Sequence, residues 1–219
     1  MVYQGVIFDF NGTLFWDTKL HNKAWDVFLE RYDIKLDDQS KFRKIHGKNN
    51  KDILFGIFGE GFSDDKLARL ALEKETLYQQ LCLQTHMAMA PGAEAFLDFL
   101  KQRGIPFTIA TASGKENLDF YFEHLPLTDW FDYDKVVYND GTIKGKPDPE
   151  IYHKAMTAIG VDAGDVLVFE DANMGLLAAK NAGAGGIVVV NSNDDDYTDW
   201  RDYQIITNFE DVDRSLFPQ

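Results

Sequence analysis

The 219-residue sequence is poor in cysteine, in positive charge and in long apolar runs. Its one cysteine, Cys82, excludes a disulfide framework and fits a reducing compartment, and we expect it to be a small core residue. Only 22 lysines and arginines accompany 36 acidic residues, and the net charge of −14 argues against a nucleic acid partner. No apolar run could span a bilayer, and the first residues lack the pattern of a signal peptide. We therefore expect a cytoplasmic protein with no membrane or nucleic acid partner.

Short apolar segments alternate with segments of helical periodicity through most of the chain. Several apolar segments contain no alternating polar residues, which is typical of parallel strands covered on both faces. The predicted strands are Gly5–Asp9, Phe107–Thr111, Val136–Tyr138, Val166–Glu170 and Gly186–Val190. The helices predicted between them are Ala93–Arg103, Lys115–His124, Pro149–Ile159 and Asn173–Ala182. These elements indicate an α/β fold with a parallel sheet.

The segment between the first two strands is different, because it shows helical periodicity alone. Its predicted helices are Lys19–Tyr32, Gln39–His46, Asn50–Phe58 and Asp64–Cys82. Residues 16–90 carry 12 basic and 12 acidic side chains, so the rest of the chain carries the whole net charge of −14. We therefore predict a core domain of residues 1–15 and 91–219 and a helical cap domain of residues 16–90. The plainer alternative is that these helices only pack beside the sheet.

Polar side chains stand at the carboxyl ends of the predicted strands, where ligands bind in open α/β sheets. Asp9 ends the first strand, Thr111-Ala112-Ser113 end the second, and Glu170-Asp171 end the fourth. Lys146 lies in a loop between them that Pro147 restricts. Carboxylate oxygens in this number suit Mg²⁺, while a hydroxyl and an ammonium group suit phosphate oxygens. We therefore expect transfer of a phosphoryl group with Mg²⁺, and Asp9 is the candidate nucleophile.

The chain resembles the phosphohydrolases of the haloacid dehalogenase (HAD) superfamily, above all the β-phosphoglucomutase-like branch. Four motifs carry the resemblance and appear in order over nearly the whole chain: Asp9-Phe10-Asn11-Gly12-Thr13, Thr111, Lys146-Pro147 and Glu170-Asp171. The resemblance implies a Rossmann-like core with an inserted helical-bundle cap. It also implies that the substrate is a small phosphorylated metabolite, such as a sugar phosphate.

The same resemblance implies a role for each motif residue. Asp9 is the expected nucleophile, and Lys146 is expected to pair with Asp9 and with the phosphoryl oxygens. Thr111, with Ala112 and Ser113 after it, is expected to bind the substrate. The expected magnesium ligands are Asp9, the backbone carbonyl of Asn11, and Asp171, with Glu170 assisting.

Two residues of the first cap helix, His21 and Trp25, match positions that face the substrate in the β-phosphoglucomutase-like branch. They are four residues apart and therefore share one helix face. We expect His21 to take part in proton transfer and Trp25 to contact the substrate. The alternatives are a surface histidine and a tryptophan that only packs in a core.

Asn11 departs from the resemblance, because the phosphatases and mutases of the superfamily carry an aspartate there that serves as general acid and base. An amide cannot act as a general acid or base near neutral pH. Three explanations remain open for a native asparagine: a slow or unusual phosphatase, a different reaction, and a binder of a phosphorylated ligand without turnover. An engineered substitution is a fourth.

The different reaction would be that of the phosphonatases, which also lack this aspartate and use a cap lysine to cleave a carbon–phosphorus bond. Lys48 and Lys51 are the candidate lysines, and both are also candidate substrate-binding residues. The mutase branch places an arginine where Asn50 stands, so Lys48 or Lys51 would have to replace it. The sequence leaves the substrate and the oligomeric state open.

Overall fold

The computed structural model describes residues 2–218, except for the side chain of Glu60, and its centre is a six-stranded sheet. The strands are β1 Gly5–Phe8, β2 Phe107–Gly114, β3 Val137–Asn139, β4 Val166–Glu170, β5 Gly186–Val190 and β6 Gln204–Ile206. Neighbouring strands run parallel in the order β3-β2-β1-β4-β5-β6. The predicted α/β fold with a parallel, Rossmann-like sheet is confirmed.

The central strand β1 is covered on both faces, which explains its unbroken apolar sequence. Val6, Ile7 and Phe8 are all fully buried. Phe8 stacks on Phe169 of β4 with 5.1 Å between ring centroids, while Ile7 belongs to the apolar cluster on the other face. Since Ile109 of β2 and Phe169 of β4 lie beside Phe8, the last residue of β1, the residues that come after these three positions meet at one edge of the sheet.

Eight α-helices lie within residues 2–218. Four of them form the insert between β1 and the rest of the core: α1 Thr18–Glu30, α2 Asp38–Lys44, α3 Asn50–Phe58 and α4 Asp64–Leu83. The other four are α5 Ala93–Gln102, α6 Lys115–His124, α7 Glu150–Ile159 and α8 Asn173–Asn181. In the insert, α2, α3 and α4 begin where Asp37, Asn49 and Ser63 accept backbone N–H groups, as N-cap residues do.

The insert has an apolar cluster of its own, built around Trp25, Phe28 and Leu54. The chain leaves the core and returns to it at one point, where the backbone N–H of Ala90 donates to the carbonyl of Leu14 at 2.8 Å. Cys82 of α4 is fully buried, as predicted. The domain boundaries at residues 16 and 90 remain a prediction.

The structure corrects several bounds of the predicted elements and adds one strand. Strand β6 was not predicted, because three residues at the edge of a sheet are too short to show a period. Strand β2 continues past Thr111 to Gly114, which pairs with Asn139 of β3. Helices α1 and α2 each end two residues earlier than predicted, α1 at Glu30 rather than Tyr32 and α2 at Lys44 rather than His46. None of the helices described between residues 2 and 218 is long and apolar enough to cross a bilayer.

Candidate active site

Three carboxylates and one ammonium group meet at the carboxyl edge of the sheet. Asp9 follows β1, Glu170 ends β4, and Asp171 comes next. One carboxylate oxygen from each lies within 4.8 Å of the others. The Nζ of Lys146 lies 2.6 Å from Oδ1 of Asp9 and 2.5 Å from Oε1 of Glu170. The sequence predicted all four residues for one site, and the structure brings them together.

The charges of this cluster do not balance, because three buried carboxylates share a single ammonium group. Burial and the neighbouring Glu170 raise the pKa of Asp9 to about 7, although Lys146 opposes the shift. Burial, Glu170 and Asp9 raise the pKa of Asp171 well above its ordinary value. Burial by itself would lower the pKa of Lys146, but Asp9 and Glu170 raise it well above its ordinary range. The cluster is therefore short of positive charge.

Both carboxylate oxygens of Glu170 accept hydrogen bonds. Its Oε1 accepts from Lys146 and also from the Tyr152 hydroxyl at 3.2 Å. Its Oε2 accepts the backbone N–H of Ala172 at 2.7 Å. Glu170 therefore holds Lys146 in place against Asp9. Asp171 is less engaged, since its side chain accepts only from the Thr13 hydroxyl, at 3.2 Å, among the described residues.

Glycine at position 12 allows the Asp171 carboxylate to lie against the turn after β1. Its backbone has φ of +79°, a region that favours glycine. A Cβ at this position would overlap with Oδ2 of Asp171. Any side chain at position 12 would therefore displace the Asp171 carboxylate.

The end of β2 forms a second wall of the same cleft. Thr111, Ala112 and Ser113 line it together with Asp9 and Asp171. The backbone N–H of Ser113 donates to the Thr111 hydroxyl at 3.1 Å. The predicted phosphate-binding segment therefore stands beside the predicted nucleophile.

Asn11 is held by hydrogen bonds on both atoms of its amide. Its Nδ2 donates to Oδ2 of Asp17 at 2.6 Å and to the Tyr121 hydroxyl at 2.7 Å. Its Oδ1 accepts from the Ser113 hydroxyl at 2.8 Å. Asp17 is fully buried and also accepts from Gly12 N–H and the Tyr78 hydroxyl. Because an ionised carboxylate only accepts, Asp17 fixes which end of the amide faces it.

His21 lines the cleft, but both of its ring nitrogens are occupied. Its ring stacks on Tyr78 at 3.7 Å, and its Nε2 lies 3.3 Å from Oδ2 of Asp17. Its Nδ1 lies 2.8 Å from Nζ of Lys74, a group that can only donate. Nδ1 can therefore only accept in this contact, which leaves Nε2 to face Asp17. The predicted role of His21 in proton transfer would require one of these contacts to break.

The remaining predicted substrate contacts lie in different places. Trp25 lines the cleft but is 1% exposed, and it packs against Phe28 with the Lys74 ammonium 5.0 Å from its ring. Lys48 also lines the cleft. Lys51 is exposed and pairs with Asp64 at 3.1 Å, away from the residues that line the cleft. The structure thus brings Trp25 and Lys48 to the site and leaves Lys51 outside it.

Sequence reasoning missed several polar residues of the cleft, chiefly Lys74 and Glu75 of α4. A signal was present, because Lys74 stands four residues after Leu70 and four before Tyr78 on the buried stripe of this helix. A charged residue on such a stripe needs a buried partner. The partner of Lys74 is Glu75, at 2.9 Å.

His46 should make the stability of the fold depend on pH in mild acid. Burial, with help from His21 and Lys41, lowers its pKa from 6.5 to about 4, against a small opposing effect of Asp38 and Asp17. Between these pH values the unfolded chain binds a proton that the folded chain does not, so stability falls as pH decreases through this window. Acid lowers the free energy of unfolding of the native chain through this protonation. We expect the decrease to be smaller in His46→Gln by about 3 kcal/mol.

The measurement is urea denaturation of both proteins from neutral pH to about pH 4. The control is His86→Gln, which changes an exposed histidine and should leave the pH profile unchanged. An identical acid limb in the native chain and His46→Gln would contradict the prediction.

Similar proteins are found both among known sequences and among solved structures. A model of the haloacid dehalogenase-like hydrolase family matches residues 3–183. The chain is 32% identical to (DL)-glycerol-3-phosphatase 2 of Arabidopsis thaliana, across 94% of this chain and 87% of that protein. It is 29% identical to β-phosphoglucomutase of Bacillus subtilis, across 82% of this chain and 80% of that protein. The solved structure of a HAD hydrolase, family IA, variant 3, from Entamoeba histolytica matches with a TM-score of 0.86 and 33% identity, covering 97% of this chain and 96% of that one.

Proposed function

Because this chain belongs to the haloacid dehalogenase-like hydrolases, we propose that it hydrolyses a small phosphorylated metabolite, such as a sugar phosphate, with the phosphoryl group carried on Asp9. The observation that carries the proposal is the Lys146 ammonium, held between Asp9 and Glu170 beside Asp171. The relatives named as a phosphatase and a phosphoglucomutase support this substrate class.

In the first step a carboxylate oxygen of Asp9 attacks phosphorus. A P–O bond to Asp9 forms, the P–O bond to the substrate breaks, and the alcohol oxygen leaves with the electron pair. Lys146 neutralises charge on Asp9 and on the phosphoryl oxygens, and the Thr111 hydroxyl can donate to the same oxygens. Asn11 has no proton to give the leaving oxygen, which must take one from water.

The carboxylate cluster fits a magnesium ion. Hard oxygen donors, their close approach and the excess of negative charge are what Mg²⁺ requires. Asp9, Asp171 and the backbone carbonyl of Asn11 would hold it, while Glu170 orients Lys146. When bound, the ion neutralises charge on the transferred phosphoryl group.

In the second step water attacks the phosphorus, the P–O bond to Asp9 breaks, and phosphate leaves. This step lacks a general base at position 11, so we expect it to be slow. That consequence favours a second candidate function, a binder of phosphorylated metabolites that does not turn over. The observation behind it is the Asn11 amide, which three neighbours hold in place.

The test is phosphate release from a panel of phosphomonoesters, with Mg²⁺ and with EDTA. We expect release to require both Mg²⁺ and Asp9, and therefore to be lost in Asp9→Asn. Asp202→Asn is the matched control, since Asp202 is exposed and should not matter. Mass spectrometry should also find one phosphoryl group on the Asp9 peptide of the native chain.

Equal release by the native chain and Asp9→Asn would reject Asp9 as the nucleophile. The binding function predicts another result: phosphorylated compounds raise the melting temperature, and no phosphate appears even with enzyme in excess. Multiple turnovers on any substrate would eliminate that second candidate.

A further inference from the structure

A buried carboxylate, Glu75 of α4, lines the cleft on the side of the insert. Its Oε1 accepts from Nζ of Lys74 at 2.9 Å and from Nδ2 of Asn50 at 2.6 Å. Its Oε2 accepts from Nδ2 of Asn117, on α6 of the core, at 2.8 Å. Burial would raise the pKa of Glu75, but Lys74, His21 and the two amides outweigh it and lower the pKa to about 2. Glu75 therefore remains ionised at any working pH.

Glu75 removes the positive charge that Lys74 would otherwise offer a ligand. Both side chains are nearly fully buried, and each is the other's ion-pair partner. Asp17, on the same wall, is a carboxylate already bonded to Asn11, and His46 is kept neutral by its lowered pKa. Among the residues that the structure describes, His21 and Lys74 on the insert side of the cleft each lie beside a carboxylate, Asp17 and Glu75, and Lys48 is the one cation there without such a neighbour.

Glu75 can accept one more hydrogen bond, but it cannot bind an anion. A carboxylate has about four acceptor sites, and three donors among the described residues occupy Glu75. A substrate hydroxyl can donate to the remaining site on Oε2. A phosphate or carboxylate oxygen has no proton to donate, and it meets the fixed negative charge of a buried carboxylate.

We propose that Glu75 is a specificity-determining residue that selects monophosphates with an uncharged, hydroxylated remainder and rejects compounds with a second anionic group. This inference rests on the proposed function, because the phosphate to be transferred occupies the Asp9 side of the same cleft. Lys48, which also lines the cleft, is the cation on this wall that opposes the selection. A second anion held by Lys48 alone would still lie in the same cleft as Glu75.

The experiment compares fructose 1-phosphate with fructose 1,6-bisphosphate, which differ only in the second phosphate. The readout is kcat/KM for release of the 1-phosphate with Mg²⁺, for the native chain, Glu75→Gln and Glu73→Gln. Glu73→Gln is the matched control, because Glu73 lies on the same helix and pairs with Arg31 at the surface. We expect the native chain to prefer the monophosphate by about tenfold or more, and Glu75→Gln to reduce that preference by a similar factor.

A native chain that handles both compounds equally well would overturn the inference, as would an unchanged preference in a folded Glu75→Gln. If Glu75→Gln does not fold, the preference of the native chain decides alone. Lys48→Ala tests the cation that opposes the selection. Loss of bisphosphate hydrolysis in a folded Lys48→Ala would assign the far end of the substrate to Lys48 and overturn the role of Glu75.

Failure of the proposed function would look different. In that case neither compound releases phosphate, and selectivity is measured as binding of the same two compounds by calorimetry with Mg²⁺. Tighter binding of the monophosphate, weakened selectively in Glu75→Gln, would support the inference even without turnover. Equal binding of both compounds would overturn it.

Discussion

Replacing Asn11 with aspartate should raise the rate of phosphate release by between about 10²- and 10⁴-fold, the usual contribution of a general acid and base. The new carboxyl group would protonate the leaving oxygen in the first step and activate water in the second. The backbone carbonyl of residue 11 is unchanged, so the proposed magnesium ligands are kept. The measurement is kcat on the best phosphomonoester of the panel, with single-turnover kinetics to separate the two steps.

The same substitution should make the protein less stable at neutral and alkaline pH. Nδ2 of Asn11 lies 2.6 Å from Oδ2 of the buried Asp17, so an aspartate there would place two carboxylates in contact. One of the pair must then keep a proton, which raises its pKa in the folded chain. Its ionisation destabilises the fold as pH rises, and the stability of Asn11→Asp should approach the native value in acid.

A swap of the two side chains provides the matched control. The double variant Asn11→Asp with Asp17→Asn restores one carboxylate and one amide to the pair. It should recover much of the lost stability and keep the gain in rate, whereas Asn11→Ala should show no gain. If neither Asn11→Asp nor the swap is faster than the native chain, the missing acid is not what limits turnover.

Lys146→Met should abolish phosphate release and lower the free energy of unfolding by about 3–5 kcal/mol in EDTA at neutral pH. Lys146 is 3% exposed and is the ion-pair partner of both Asp9 and Glu170. Its removal leaves three carboxylates together without a compensating charge. The loss of stability should shrink as pH decreases, because protonation of the carboxylates removes their repulsion.

Urea denaturation measures this loss, and Lys144→Met is the control two residues away. Lys144 is exposed and lies 3.6 Å from a partly exposed Asp148, so its removal should change stability by less than about 1 kcal/mol. In the double variant Asp9→Asn with Lys146→Met, part of the stability should return. A Lys146→Met protein as stable as Lys144→Met would show that the ion pairs are not what holds the cluster together.

The motif residues could be placed from the sequence because their positions follow from topology. Asp9, Thr111 and Glu170 each end a predicted strand, and the strands that carry them are neighbours in the sheet. An apolar strand followed by a polar side chain is visible in a single sequence. The meeting of these residues at one edge then follows from the parallel arrangement.

The polar network between the insert and the core could not be placed in the same way. Glu75 and Asn117 are 42 residues apart on two helices, and nothing local in the sequence indicates that they meet. The pairing of Asn11 with Asp17 depends likewise on the shape of the turn between β1 and α1. Lys51, in contrast, is predicted for the cleft because it adjoins Asn50, the position at which the mutase branch has an arginine. The start of α3 turns its side chain towards Asp64 instead.

The hydrogen bond between Ala90 and Leu14 joins the two points at which the chain enters and leaves the helical insert. Both chain crossings lie at this one short link, and the insert also contacts the core through side chains of α4, among them Glu75 and Gln79. Any separation of α4 from α6 would break the hydrogen bonds that join Glu75 and Gln79 to Asn117. Opening of the cleft along α4 would therefore bring water to the Glu75 carboxylate.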